Sequence, residues 1–356
     1  MPFLAAIETV PAPFAYPQSE VANGVLSWLR SLEATADPRA VERLFARAGV
    51  QRRASLRPLS EVFLEATFAQ RNAVYQQAMI ETGVSLARAA LQRAGLDGID
   101  AIVSSSCTGF MIPAVDAHIA NALGLGPRLT RLPITEAGCA GGAVALARAA
   151  DFLVAHPRSA ALVVAIEFSS LTFQAGDPSV TNLVATALFA DGAGAAVLLG
   201  AEHPSAGAAQ VEFRRAVSYF MPDSLGAMGY DVVESGFRLV LDKRLPDFLR
   251  GKLKPMILEF LGDHGLSFGD IAGFAIHPGG RKVLDVAEEE LGLSPAQTEA
   301  SRTVLREHGN MSSATLLFVL DRVLPALEPG AFALGIGFGP GFAIELSLWR
   351  ATAGAR

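Results

Sequence analysis

Cysteine is nearly missing: 356 residues hold two, Cys107 and Cys139. Two thiols are too few for a disulfide framework or a zinc site, and the six histidines show no ligand spacing beside them. Reduced thiols, a cytoplasmic location and no metal are expected. Basic charge is in deficit as well, with 29 Lys and Arg against 35 Asp and Glu and a net charge of −6. The two signs are interspersed, so there is neither the basic stripe that nucleic acid needs nor a polybasic patch for membranes. An anionic ligand must be met by a local cluster. The amino end, "MPFLAAIETVPAPFAYP", is apolar, but it lacks a basic start and is broken by prolines. Neither a signal peptide nor a membrane span is expected there. Low-complexity linkers are absent.

What is present is apolar: 51% of the residues are hydrophobic. A chain of this length makes one large domain or two fused ones, because single cores stop growing near ~250–300 residues. From about Glu61 to Gly95 apolar residues recur three and four apart, through Val74, Ala78, Leu86 and Leu91, which predicts a helix. "IDAIVSSSCTGF", "ALVVAIEFSS" and "GAGAAVLLG" are short apolar runs with the grammar of buried strands. Between them, "AVALARAADFLV" is interrupted only by Arg148 and Asp151, as a fully buried helix is. The second part repeats the alternation. "AGFAIHPGG" is a strand entering a turn, "RKVLDVAEEELGL" and "MSSATLLFVLDRVL" are helices, and "AFALGIGFGPGFAIELSLWR" is two strands joined by Gly-Pro-Gly. Buried strands alternating with helices argue an α/β fold. Two related halves, 1–205 and 206–356, are expected.

Chemistry concentrates in glycine-rich turns. In "TEAGCAGGAVALARAADFLVAH" Cys139 stands between Gly138, Gly141 and Gly142, at the foot of a helix whose dipole points its positive end at the sulfur. With a cation nearby, that position lowers a thiol's pKa and makes it a nucleophile; without one, a lone cysteine is a small buried hydrophobe. "AIHPGG" puts His277 at a strand end, and "EHGNMSSAT" puts Asn310 just before a helix. Singly, these read as a satisfied turn histidine and an N-cap.

Together they resemble one family, the type III polyketide synthases of the chalcone and stilbene synthase group within the thiolase superfamily. "AGCAGG", "HPGGRKVLD", "GNMSSAT", "LFADGAGAAVLL" and "GFGPG" occur in family order at family-like separations. The resemblance implies a thiolase-like five-layered αβαβα fold. It implies Cys139 as the acyl-accepting nucleophile, with His277 and Asn310 supporting its thiolate and donating to thioester oxygens. Phe189 and Phe237 match the gatekeeping phenylalanines. Cys107, Thr108, Thr172, Tyr230 and Ser312 match cavity-lining or cavity-shaping positions, with Gly337 and Phe338 of the closing motif beside them. Ile112 matches a residue that protrudes into a neighbouring subunit, so a homodimer is implied. Arg52, Arg53 and Arg57 in "QRRASLR" are the candidates for contacts to the CoA phosphates, guanidinium being suited to them.

The implied activity is iterative decarboxylative condensation of malonyl-CoA onto an acyl-CoA starter, with CoA thioesters as substrates and no cofactor. "MGYDVVESGFRLVL" resembles bacterial members that extend fatty acyl starters into alkylpyrones or alkylresorcinols. Cys107 resembles the tetrahydroxynaphthalene synthases, which use malonyl-CoA alone, and that alternative stays open. An initiating ketoacyl synthase would continue its histidine motif with Gln-Ala-Asn in place of Pro-Gly-Gly. A degradative thiolase needs a second cysteine near the carboxyl end, and none follows Cys139. Hydroxymethylglutaryl-CoA synthase would use a glutamate motif beside the cysteine, which is not found. A silent binding protein on the same scaffold would tolerate loss of one of the three residues.

Overall fold

The computed structural model describes residues 1–34 and 37–353. In the first part of the chain the strands are β1 (Phe3–Pro11), β2 (Phe14–Pro17), β3 (Arg52–Ser55), β4 (Ala101–Ser105), β5 (Thr130–Ile134), β6 (Ala160–Phe168) and β7 (Asp191–Leu199). Its helices are α1 (Gln18–Ser31), α2 (Pro38–Arg47), α3 (Leu59–Val62), α4 (Phe68–Ala94), α5 (Val115–Leu123), α6 (Gly141–Ala155) and α7 (Val180–Leu188). The second part adds β8 (Val211–Phe220), β9 (Met228–Val233), β10 (Gly236–Leu241), β11 (Ile271–Ile276), β12 (Phe332–Gly339) and β13 (Ala343–Ala351). With them come α8 (Leu253–Gly262), α9 (Arg281–Leu291), α10 (Glu299–His308) and α11 (Thr315–Val323).

Nine strands hydrogen-bond in the order β11-β12-β13-β8-β1-β7-β6-β4-β5. Parallel pairing is confined to β4 with β5 and β6, and to β11 with β12. The join between the two parts is narrow: β1 meets β8 only through Phe3 opposite Glu212 and Leu4 opposite Val211. Such a short seam lets the two groups of strands fold over a shared layer. That layer is α6 with α11. Helix α6 packs on β4 and β6 and also on β12 and β13, and α11 touches both β11 and β1. Each therefore needs apolar residues on nearly every side. Ala145, Leu146, Ala149 and Leu153 of α6 and Leu316, Val319 and Leu320 of α11 are buried in one cluster with Val163 and Trp349. Full burial of each such leucine or valine side chain contributes about 1.5–3 kcal/mol. The stretch Gly138–Ala155 is long and apolar enough to cross a membrane, but here it is a core helix. Outer layers are supplied by α4 and α5 on one side and by α8 and α9 on the other. These are the five layers of the thiolase-like α/β fold.

The expected helix from Glu61 to Gly95 is two helices. Helix α3 ends at Val62, and α4 starts afresh after Thr67, whose hydroxyl accepts from the Gln70 N–H while the Gln70 side chain returns to the Thr67 N–H. This reciprocal cap satisfies the donors of a new first turn, which the apolar periodicity alone does not reveal. Residue 205 lies in the turn segment between β7 and β8.

Candidate active site

Cys139 sits in a single 3-10 turn, Gly138–Ala140, that runs directly into α6. Gly138 adopts φ +52°, a conformation that side chains resist, and a Cβ there would lie 2.7 Å from Pro340. From the other side β12 presses on the same turn. A Cβ on Gly337 would meet Ala143 at 3.1 Å, so only a bare backbone lets this strand approach. His277 follows β11 and extends its ladder, donating its N–H to the Ile336 carbonyl at 2.8 Å. It is thereby registered beside the part of β12 that touches the Cys139 turn. Its side chain is wholly buried, and both ring nitrogens lack a partner among the described residues.

Asn310 arrives from the connection between α10 and α11. Its backbone is clamped to the chain after α7: its N–H donates to Leu188 O at 3.0 Å and its carbonyl accepts from Ala190 N at 2.8 Å. The side-chain oxygen accepts from Ser312 N at 2.9 Å, two residues on, but the N-cap positions of this turn and of α11 are Met311 and Ala314, so Asn310 is not the cap expected from sequence. The carboxamide nitrogen is left for Gly279 O, at 3.4 Å, and for the Cys139 sulfur. Ser312 also hydrogen-bonds that sulfur, and its hydroxyl lies 3.4 Å from the Cys107 sulfur.

Burial overturns the lowered thiol pKa that the helix-foot position implies. The Cys139 thiol is pushed up to about 11 by desolvation, with the Glu167 carboxylate adding to the rise and Ser312 and Asn310 pulling it back. No cation is among these groups. Desolvation pushes His277 the opposite way, down to about 4. Each group by itself thus favours its neutral form. His277 has a consequence for stability too. Neutral in the fold to about pH 4 but titrating near 6.5 when unfolded, it contributes stability that is complete above pH 6.5 and lost as the pH falls toward 4. The expected loss approaches roughly 3 kcal/mol. Urea unfolding at pH 7 and pH 5 should show it, and His277→Gln should flatten that slope.

Cys139 opens on a cavity of about 400 Å³, lined also by Cys107, Phe110, Phe189, Tyr230, Phe237 and Ser312. Phe237 is held edge-on by Phe68, ring centroids 5.3 Å apart, and tilts against Tyr230 at 5.8 Å. Phe189, Tyr230 and Leu239 form the wall between this cavity and a side compartment of about 60 Å³ that contains Thr172. Thr172 therefore shapes the far side of the wall, its hydroxyl donating to Ser169 O at 2.9 Å. Three other expected lining residues do not line the cavity. Thr108 is buried with its hydroxyl given to Glu167 at 2.9 Å. Gly337 backs Ala143, and Phe338 is buried in the sheet, stacked on Phe342. Ile112 is 82% exposed.

The arginines are redistributed as well. Arg53 is buried, with Thr186, Ala187 and Phe189 carbonyls as acceptors, and cannot meet a phosphate from solvent. Arg57 is paired with Glu61, at 2.8 Å from Nε. Arg52 is exposed but lines none of these cavities. Cationic side chains gather elsewhere: a separate cavity of about 540 Å³ beside Gly279 and Gly280 is lined by Arg43, Arg47, Lys243, Arg281 and Lys282, with Asp242 among them. Their signal in the sequence is a pair of arginines one helical turn apart on α2. Sequence reasoning also missed Glu167, the one carboxylate in an otherwise apolar strand. It accepts from Thr108 Oγ1 at 2.9 Å, from Cys107 N at 3.1 Å and from Ser313, and burial raises its pKa.

Family models cover most of the chain. The family model for the N-terminal domain of chalcone and stilbene synthases matches residues 8–203, and that for the C-terminal domain matches residues 212–353. The chain belongs to the chalcone and stilbene synthase family. It is thus a type III polyketide synthase, an acyltransferase that forms carbon–carbon bonds by condensation. Among its relatives is the 1,3,6,8-tetrahydroxynaphthalene synthase of Streptomyces coelicolor, 37% identical over 86% of this chain and 81% of the relative. The phloroglucinol synthase of Pseudomonas fluorescens is 34% identical over 88% of this chain and 89% of that protein. The crystal structure of the Streptomyces coelicolor tetrahydroxynaphthalene synthase superposes with a TM-score of 0.91 at 32% identity, covering 99% of each chain.

Proposed function

We propose that this type III polyketide synthase loads an acyl group on Cys139 and extends it with malonyl-CoA. The observation that carries the reading is the Cys139 sulfur opening on one cavity while the Asn310 amide acts on that sulfur and the unpartnered imidazole of His277 is registered alongside, both buried behind the lining. His277 accepts the thiol proton as the sulfur attacks the starter thioester and CoA leaves as the thiol. Malonyl-CoA then loses carbon dioxide, and the electron pair of the broken bond becomes an enolate whose oxygen His277 and Asn310 stabilise. The enolate carbon attacks the acyl-Cys139 carbonyl and displaces the sulfur, and transfer of the lengthened chain back to Cys139 permits another round. Phe189 and Phe237 exclude water from the thioester. Nothing beyond these side chains and CoA thioesters is invoked. Release by lactonisation or by aldol closure takes place in the same cavity.

The CoA phosphates fit the cavity lined by Arg43, Arg47, Lys243, Arg281 and Lys282, where guanidinium and ammonium groups gather on an otherwise acidic protein. Starter choice depends on the wall at Tyr230. Behind it the side compartment accommodates only a few water-sized groups, which favours a malonyl-derived or short acyl starter and an aromatic or pyrone product. The fatty acyl starter is the second reading, favoured by the apolar residues Val21, Val62, Phe63 and Phe173 that line the compartment beyond the wall. Incubation with malonyl-CoA, with and without acyl-CoA starters of increasing length, separates the two. Product from malonyl-CoA alone is expected; strict dependence on a long-chain starter would reverse the preference. We place the enzyme in the cytoplasm as a homodimer, with Phe110 at the cavity rim and the neighbouring Ile112, both exposed, reaching a second copy. Sedimentation of the same preparation reads that association.

A further inference from the structure

Arg53 turns its two terminal nitrogens to partners inside the protein, while its buried Nε has no partner among the described residues. Its guanidinium reaches the carbonyls of Thr186 and Ala187, that of Phe189 at 2.7 Å, and the side-chain oxygen of Gln18. Gln18 in turn donates to Ala187 O at 2.8 Å and to Phe45 O at 3.3 Å. The last carbonyls of a helix have no partner within it, and α7 ends in the interior, where water cannot supply one. Two buried side chains supply them here, and the positive charge of Arg53 complements the negative end of the helix dipole. Its countercharge is Asp191, held by Leu56 N at 2.6 Å and Ser170 N at 2.8 Å.

The wall and the amide of the site both hang from this helix end. Phe189 is the next residue, and Leu188 and Ala190 hold the backbone of Asn310 from both sides. Asn310 lies in no helix and in no strand of the main sheet. Its place beside the sulfur is set by that two-bond bridge and by the turn after it.

We propose that Arg53 is a positioning residue for condensation: by capping α7 it fixes Leu188–Ala190, and through that segment both the Phe189 ring and the Asn310 carboxamide. This rests on the reading of Cys139 and Asn310 as the condensing site. Arg53 borders the small side compartment but not the cavity on which Cys139 opens, and it ties the α2 end, through Gln18 and Phe45 O, to the bridge that carries Asn310. A displacement of about 1 Å at a reacting group costs on the order of 100-fold in rate, so a slack bridge is expressed in turnover before it is expressed in affinity.

The test measures kcat and KM for malonyl-CoA decarboxylation and for chain extension, thermal stability, and acyl loading of Cys139 by mass. Wild type is compared with Arg53→Met, Arg53→Lys, Gln18→Leu and Arg47→Ala. Expected for Arg53→Met is a fall in kcat of about 100-fold with KM for malonyl-CoA near the wild-type value. Arg53→Lys, which keeps the charge and reaches part of the carbonyl cluster, recovers part of the loss, and Gln18→Leu falls between. Arg47→Ala shows the opposite pattern, a raised KM. The inference is overturned if Arg53 variants raise KM at unchanged kcat, as a phosphate contact would. It is equally overturned by wild-type kcat, or by losses that track thermal stability with no recovery in the lysine variant. Should Arg53→Met fail to fold, Arg53→Lys and Gln18→Leu decide by the same criteria. A wild-type protein that never acylates Cys139 would instead remove the reading beneath it.

Discussion

Cys139→Ala is expected to abolish chain extension, a loss on the order of 10⁶-fold, the scale on which covalent enzymes fail without their nucleophile. The methyl group fills less of the turn than the thiol, but the site is held by glycine geometry and by β12, so the fold persists. Without the sulfur no acyl-enzyme forms, and the enolate has no electrophile held within reach. Decarboxylation makes a sharper second reading. It needs the oxyanion donors and not the thiol, so Cys139→Gln, whose amide imitates the acylated cysteine, should still convert malonyl-CoA to acetyl-CoA and carbon dioxide. Product analysis by mass spectrometry covers both reactions. An alanine variant that still lengthens chains would refute the assignment of the nucleophile.

The second large effect is expected at the opposite side of the developing charge. Removing one oxyanion donor typically costs ~3 kcal/mol, or 10²–10³-fold in rate, because a preorganised donor is lost at the moment the oxygen gains charge. His277→Ala and Asn310→Ala should each slow malonyl-CoA decarboxylation by that factor. The two should separate in acyl loading. In the proposed mechanism His277 accepts the thiol proton, so with the Cys139 thiol held at about 11 its alanine variant should load far more slowly than the Asn310 variant. Mass measurement of acyl-Cys139 against time checks this. Equal decarboxylation in both variants and wild type would contradict the oxyanion roles.

Much of this was legible in the chain. Cys139, His277 and Asn310 each lie in a glycine-rich turn at the end of an element, and such turns announce themselves locally. The buried character of α6 showed in its nearly unbroken apolar run, since a helix packed on both sides has no polar face to display. The arginines were not legible. Arg52, Arg53 and Arg57 cluster in sequence, but β3 leaves Arg52 at the surface and buries Arg53 with the two residues after it. Arg43 and Arg47, less conspicuous along the chain, line the separate cationic cavity with residues some two hundred positions away. Glu167 escaped notice because a carboxylate within a strand gains meaning only from the Thr108, Cys107 and Ser313 groups that converge on it.

The sequence by itself determined the element types, the turns that carry the reactive side chains and the family, because periodicity, glycine and short motifs act over a few neighbouring residues. Tertiary structure alone decided which groups meet and in what charge state. Burial pushes the Cys139 thiol up and the His277 imidazole down, so each favours its neutral form, and Arg53 became a helix cap since α7 ends against it. Desolvation and partnership belong to the surroundings that distant segments build, and no residue carries them along its own stretch of chain.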